Sequence, residues 1–118
     1  MFVKNLNISL LLDFYGDVLT DRQKDMLDMY YNDDFSLSEI ADFYKISRQG
    51  VRSVLKKGEI ILSDMEEKLN LAKRFIDVQD KSAQIALKLE NINLIINNKE
   101  INDQISSLID EIKELSES

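Results

Sequence analysis

The chain has 118 residues, a hydrophobic fraction of 44%, a charged fraction of 31% and a formal net charge of −7, a composition typical of a folded domain. It contains neither cysteine nor histidine, which excludes disulfides, the usual zinc sites, and catalysis by a thiol nucleophile or an imidazole base. With no proline and three glycines, little interrupts helices. We therefore expect a non-enzymatic, all-helical protein that needs no cofactor or metal.

Neither a leader nor a membrane span is predicted. The first six residues lack the basic start and apolar core of a signal peptide, and no run of about 18 apolar residues occurs. The polar faces of the C-terminal helices are acidic and rich in asparagine, the wrong sign for anionic lipid. We expect a cytoplasmic protein with no membrane partner.

Apolar residues at helical spacing predict a first helix over residues 6–19 and a second over about 21–31. Thr20 and Gln23 form a capping box before the second helix, in which the hydroxyl and the amide each satisfy a backbone N–H. A turn at residues 32–34 follows.

A second capping box, Ser36 with Glu39, opens a short helix that ends near Tyr44. Ser47 is the N-cap of the next helix, which has no strong stop for many residues. Gly58 is its one weak point, at a cost of about 1 kcal/mol against alanine.

The pattern of the C-terminal part predicts further helices that pair with other helices, either within the chain or across a dimer. An apolar seam continues from Leu62 to Ile76, and a break is expected near residues 78–82. A further helix then carries Ile85, Leu89, Ile92 and Ile96. After a break at Asn97 and Asn98, the last helix has a heptad series of Ile101, Ile105, Leu108, Ile112 and Leu115.

The segment from residue 37 to residue 54 has the pattern of a helix-turn-helix. Two short helices that cross steeply need apolar residues on their facing sides and a small residue at the closest approach. Ala41 is the small residue, and Lys45 occupies a turn position where glycine is usual because the backbone there is left-handed. The facing apolar residues are Ile40, Tyr44, Ile46, Val51 and Val54.

Positive charge is concentrated at this motif. Residues 45–57 contain five basic residues and no acidic one, whereas residues 1–44 and 58–118 each carry a net charge of −6. Because exposed charges are largely screened beyond about 8 Å at physiological salt, a local basic face can still bind phosphate. The alternative is that these charges are only the solvated face of an amphipathic helix.

The outward side of the second motif helix is the predicted nucleic-acid interface. Arg48, Gln49 and Arg52 are the candidates for reading bases, since arginine pairs with guanine and glutamine with adenine. The lysines of the window are candidate phosphate anchors. The full predicted set is Lys45, Ser47, Arg48, Gln49, Arg52, Ser53, Lys56 and Lys57.

Two other groups of residues favour structural roles. Asp33 and Asp34 lie in a predicted turn without the ligand spacing of a calcium loop. The aromatic residues around the motif have helical spacing and are expected in the core, not as a base-stacking platform. They are Phe14, Tyr15, Tyr30, Tyr31, Phe35, Phe43 and Tyr44.

Over residues 6–71 the sequence resembles the YlxM family of bacterial helix-turn-helix proteins and, more distantly, the fourth region of RNA polymerase sigma factors. Ser47, Arg48, Gln49 and Val51 match the start of the family's recognition helix. Gly50 stands where the family commonly has alanine, and Arg52 where an aromatic residue is common. The matching runs are residues 12–15, 19–23, 30–41 and 46–51.

The pattern along the chain predicts a helix-turn-helix domain at residues 1–62 and a C-terminal helical extension over residues 63–118. The resemblance implies that the first of these has a sigma-region-four-like fold. It also implies that the protein takes part in or regulates the signal recognition particle pathway, with the particle RNA or its GTPase as partners. The alternatives are a dimeric DNA-binding transcriptional regulator and a protein-binding adaptor that uses the motif only as a scaffold. The heptads of the extension predict a homodimer.

Overall fold

The computed structural model describes residues 6–117, and the side chains of residues 8–117, as helices joined by short connections. This part of the chain contains no strand, so the all-α prediction is confirmed. None of its helices is both long and apolar enough to cross a membrane. The helices are α1 (Leu6–Tyr15), α2 (Asp21–Tyr31), α3 (Leu37–Tyr44), α4 (Arg48–Leu69), α5 (Leu71–Ile95) and α6 (Lys99–Glu117).

Hydrogen bonds at the starts of α2 and α3 follow the two predicted capping boxes. The Thr20 hydroxyl accepts from the backbone N–H of Gln23 at 3.2 Å, and the side-chain oxygen of Gln23 accepts from the backbone N–H of Thr20 at 3.0 Å. Ser36 and Glu39 form the same pair of bonds before α3, both at 3.0 Å. The first predicted helix is shorter than expected, because α1 ends at Tyr15 and a 3-10 turn at Gly16–Val18 follows.

The core of the first compact unit, which ends at Ala72, is built around α4. Helices α1, α2 and α3 all pack against it. Six side chains are completely buried, and burial of each contributes about 1.5–3 kcal/mol relative to exposure. They are Met26, Leu27, Ile40, Val51, Leu55 and Leu62.

The break predicted near residues 78–82 is wrong, because α5 runs continuously through that segment. The chain instead breaks at Asn70, whose backbone is left-handed (φ 55°) and whose N–H donates to the Glu66 carbonyl at 2.8 Å. Asparagine tolerates this conformation better than most residues, so one residue separates two long helices. The boundary predicted between residues 62 and 63 falls inside α4.

Tyr15 satisfies backbone groups at the start of α5, where the first amides of a helix have no partner within it. Its hydroxyl accepts from the Leu71 N–H at 3.1 Å and donates to the Glu66 carboxylate at 2.7 Å. The same carboxylate accepts from the Ala72 N–H at 3.0 Å. Burial, assisted by the hydrogen bond to Glu66, raises the pKa of Tyr15.

The second compact unit begins at Lys73 and is an antiparallel hairpin of α5 and α6. Gln79 donates to the Ser116 carbonyl at 2.9 Å, and Glu90 pairs with Lys113 at 3.2 Å. On α6 the buried positions are Ile105 and Ile109, with Ile112 half-buried. Of the predicted heptad series, Ile105 and Ile112 lie on the side of α6 that faces α5, whereas the other three members are exposed: Ile101, Leu108 and Leu115.

Candidate nucleic-acid interface

The facing sides of α3 and α4 form the predicted helix-turn-helix contact. Ile40 and Val51 are completely buried, and Ala41 is 5% exposed where the two helices approach. Lys45 has the left-handed backbone expected of the turn, with φ 57° and ψ 46°. The Ile46 N–H donates to the Ala41 carbonyl at 3.0 Å, which closes the turn. A lysine in this conformation costs about 1–2 kcal/mol relative to glycine, so strain is stored at the turn.

Ser47 is the N-cap of α4. Its hydroxyl accepts from the Gly50 N–H at 3.0 Å, and its backbone is extended, as an N-cap requires. A side chain at Gly50 would meet the Ser47 hydroxyl at 3.3 Å. The N-terminal turn of α4 is thus closely packed around its cap.

All the predicted interface residues are exposed to solvent. The buried side of α4 is opposite and carries Val51, Leu55 and Gly58. Within residues 8–117, neither Arg48 nor Arg52 forms an ion pair. The exposed set is Lys45, Ser47, Arg48, Gln49, Arg52, Ser53, Lys56 and Lys57.

A groove of about 780 Å³ lies between the start of α4 and the start of α3. It brings together four of the predicted residues, the connection that precedes α3 and the first residues of α3. Lys45, Ser53, Lys56 and Lys57 are not part of its lining. The groove is lined by Tyr30, Asp34, Phe35, Ser36, Leu37, Ser38, Ser47, Arg48, Gln49 and Arg52.

The sequence-based prediction missed the contribution of α3 to this groove. Ser36 and Ser38 belong to the N-terminal turn of α3, whose free N–H groups and dipole favour anions. The capping box at Ser36 was the signal for that helix start, although it did not show that the start of α3 lies beside Arg48. The groove is therefore lined by two helix starts and two arginines.

Acidic groups limit the positive potential of the groove. Hydrogen bonds from the backbone and the hydroxyl of Ser36 lower the pKa of Glu39, so this carboxylate stays ionised at neutral pH. Asp34 is in the groove lining and has a left-handed backbone with φ 57°. An anion that binds here must contact the arginine side of the groove.

The aromatic residues near the motif have different environments. Tyr15 and Tyr30 are buried, as predicted. Phe43 is 68% exposed, so the prediction that it belongs to the core is wrong. Its ring packs edge-on against Tyr44 at a centroid distance of 5.1 Å, and the Arg22 guanidinium lies 5.2 Å from the centre of the Tyr44 ring. Phe43 follows the buried Ile40 by three positions but points outward because Tyr44 occupies the inner site.

The polar side chains of this surface are mainly hydrogen-bond donors. In the described part of the chain no group of three or more aspartates or glutamates is placed to hold a metal ion. Guanidinium, ammonium, amide and hydroxyl donors make up the exposed side of α4 over residues 48–57. Such donors contact phosphates and base edges.

Comparison with known proteins agrees with this geometry. The family described as "Putative helix-turn-helix protein, YlxM / p13 like" (UPF0122) matches residues 2–117. A UPF0122 protein of Acetivibrio thermocellus is 40% identical over 109 residues, covering 90% of this chain and 93% of the relative. Relatives from a Thermoanaerobacter species and from Oceanobacillus iheyensis are 43% and 36% identical, and the aligned regions cover 91% and 93% of this chain and 88% and 98% of those proteins. The chain belongs to the UPF0122 family of YlxM/p13-like helix-turn-helix proteins.

Proposed function

We propose that the protein is a cytoplasmic regulatory protein that binds duplex DNA by placing the first turns of α4 in the major groove. One observation carries this proposal: an exposed stripe with no acidic residue begins directly after a helix-turn-helix turn. In this class of motif, the N-terminal residues of the second helix contact base edges. Arg48, Gln49 and Arg52 occupy those positions.

Groove dimensions favour DNA over double-stranded RNA as the ligand. The major groove of B-DNA is about 12 Å wide and admits an α-helix. The major groove of A-form RNA is deep and too narrow for side chains to read. A helix such as α4, with its reading residues in the first two turns, therefore fits DNA better.

The lysines that lie outside the α3–α4 groove have a different role in this proposal. Lys45 at the turn and Lys56 and Lys57 farther along α4 are placed to anchor phosphates on either side of the reading residues. Because the whole chain carries a net charge of −7, long-range attraction to DNA is weak. We expect low non-specific affinity that falls steeply with salt.

The signal recognition particle pathway is the cellular setting that the family resemblance implies, and we propose it on that ground alone. The particle RNA and its GTPase are then the competing ligands to test beside DNA. An adaptor function predicts binding to the GTPase without binding to either nucleic acid.

The decisive experiment measures the affinity of the purified protein for a random-sequence DNA duplex, for the particle RNA and for the GTPase across a salt series. We compare wild type with Arg48→Ala/Arg52→Ala by fluorescence anisotropy. Each lost contact between a cationic group and a phosphate reduces the slope of log affinity against log salt by about 0.9 for DNA. The double variant should bind more weakly and with a slope lower by up to about 2.

A matched control removes two positive charges elsewhere. Lys68→Ala/Lys99→Ala changes the net charge by the same amount at exposed positions outside the interface, and its affinity should stay close to that of wild type. Equal losses in both double variants would show that only net charge matters. Binding of the GTPase alone, with neither nucleic acid bound at low salt, would refute the DNA-binding function.

A further inference from the structure

Two rows of apolar side chains run along the α5–α6 hairpin, each with one member every seven residues. Five of the six side chains are 41–51% exposed, and Ile85 is half-buried. The α5 row consists of Val78, Ile85 and Ile92, and the α6 row of Ile101, Leu108 and Leu115.

Both rows lie on the same face of the hairpin. The seam between the two helices is marked by hydrogen bonds that join Gln79 to Ser116 and Asn102 to Asn93. Every member of a row directly precedes a residue of this seam. In an antiparallel pair of helices, positions that precede the seam on both helices share one face. The Glu90–Lys113 ion pair follows the seam residues and therefore lies on the opposite face. We call the six-residue surface the apolar face.

We infer that the apolar face is the interface for a second copy of this chain. The α6 row is about 21 Å long, since an α-helix rises 1.5 Å per residue, and two adjacent helices are about 20 Å wide. These dimensions give about 400 Å² on each protomer before the charged margins are added. Specific interfaces bury about 800 Å² per partner on average, with weaker ones below about 600 Å², so this face supports a dimer that dissociates on dilution.

Charge at the margins determines how the two copies are oriented. Helix α5 contains four basic and three acidic residues, whereas α6 contains two basic and six acidic residues. Lys81 lies on the α5 margin, three residues after Val78, and Glu111 lies on the α6 margin, three residues after Leu108. Both side chains are exposed. A two-fold axis parallel to the helices places α5 against α6 of the partner subunit and Lys81 within a turn of Glu111 of the partner subunit.

The other face-to-face arrangement is unfavourable. A two-fold axis perpendicular to the helices would place α6 against α6 of the partner subunit, which brings two acidic helices together. The favoured axis makes the two hairpins parallel. Both α5 N-termini then lie at the same end of a four-helix bundle, and each is preceded in the chain by a helix-turn-helix unit.

Sedimentation equilibrium across a concentration series tests this interface. The mass should rise from 13.7 kDa toward twice that value at tens of micromolar. Leu108→Glu places a charge on the apolar face without altering a buried residue, and we expect the dimer dissociation constant to rise by about tenfold or more. Leu87→Glu is the matched control, because Leu87 is 61% exposed and does not belong to the apolar face.

The orientation has its own test. Lys81→Glu and Glu111→Lys should each weaken the dimer, and the double variant should restore most of the affinity because the pair of charges is only exchanged. A monomeric wild-type mass at tens of micromolar overturns the inference, as does a Leu87→Glu variant that weakens the dimer as much as Leu108→Glu. Failure of the double variant to recover affinity overturns the proposed orientation. Circular dichroism confirms that each variant keeps its helices.

Discussion

Gly50 and Gly58 lie in the same helix, and the same substitution by alanine should change stability in opposite directions at the two sites. An alanine Cβ at Gly58 would lie 2.6 Å from the Leu27 Cδ1 atom and 3.6 Å from its Cγ. Leu27 is completely buried, so its side chain has no free space into which it can turn. At Gly50 the nearest atom is the Ser47 hydroxyl oxygen at 3.3 Å, on an exposed residue.

The expected magnitudes follow from two opposing effects. Alanine stabilises a helix interior by about 1 kcal/mol relative to glycine, and by about half of that in the first turn. Overpacking a well-filled core costs about 1–3 kcal/mol. We expect Gly50→Ala to raise the free energy of unfolding by about 0.5 kcal/mol and Gly58→Ala to lower it by about 1 kcal/mol.

Thermal and urea unfolding followed by circular dichroism measure both effects. The difference of about 1.5 kcal/mol corresponds to roughly 6–9 °C between the two midpoints for a domain of this size. Because both variants gain the same methyl group, the comparison cancels the change in the unfolded chain. Equal stabilisation by the two substitutions would refute the close approach of α2 and α4 at Gly58.

Three further substitutions test the capping and turn geometry. Tyr15→Phe leaves the Leu71 amide without its acceptor and should lower the unfolding free energy by about 1–3 kcal/mol in urea. Folding lowers the Glu39 pKa, so its stabilisation is present above the ordinary carboxyl pKa and is lost as pH falls through the lowered value. Wild type should therefore lose more stability than Glu39→Gln in acid titrations. Lys45→Gly should raise the unfolding free energy by about 1 kcal/mol and weaken DNA binding.

Each of these expectations has a result that contradicts it. A Tyr15→Phe variant as stable as wild type would mean that the Tyr15 hydroxyl does not cap α5. If the unfolding free energies of wild type and Glu39→Gln fell equally as the pH is lowered, the capping box would not be a source of pH dependence. A destabilised Lys45→Gly variant would mean that the turn carries no strain.

The helix-turn-helix could be predicted in detail because its determinants are local. Capping residues at Ser36 and Ser47, the small Ala41 and the left-handed position at Lys45 all act over a few residues, and each is found where it was predicted. The exposure of the basic stripe followed from the burial of the opposite side of α4. The pattern of basic residues on one side of α4 and apolar residues such as Val51 on the other was visible in the sequence.

Other features depend on distant partners and could not be predicted. The start of α5 is capped by Tyr15, which lies 56 positions before Leu71, so periodicity placed the break too late. In α6, rotating the helix by one residue exchanges the inner and outer apolar positions. The sequence pattern was compatible with either Leu108 or Ile109 on the inner side. The start of α3 beside Arg48 depends on tertiary packing.

Mapping of backbone amide shifts in two-dimensional NMR tests the central claim most directly, with a short DNA duplex titrated into the labelled protein at low salt. The proposed function predicts that the perturbed amides cluster at residues 45–57 and at Ser36 and Ser38, and that added salt reverses the shifts. Perturbations confined to α5 and α6, or no perturbation at all, would contradict a DNA-binding role for α4.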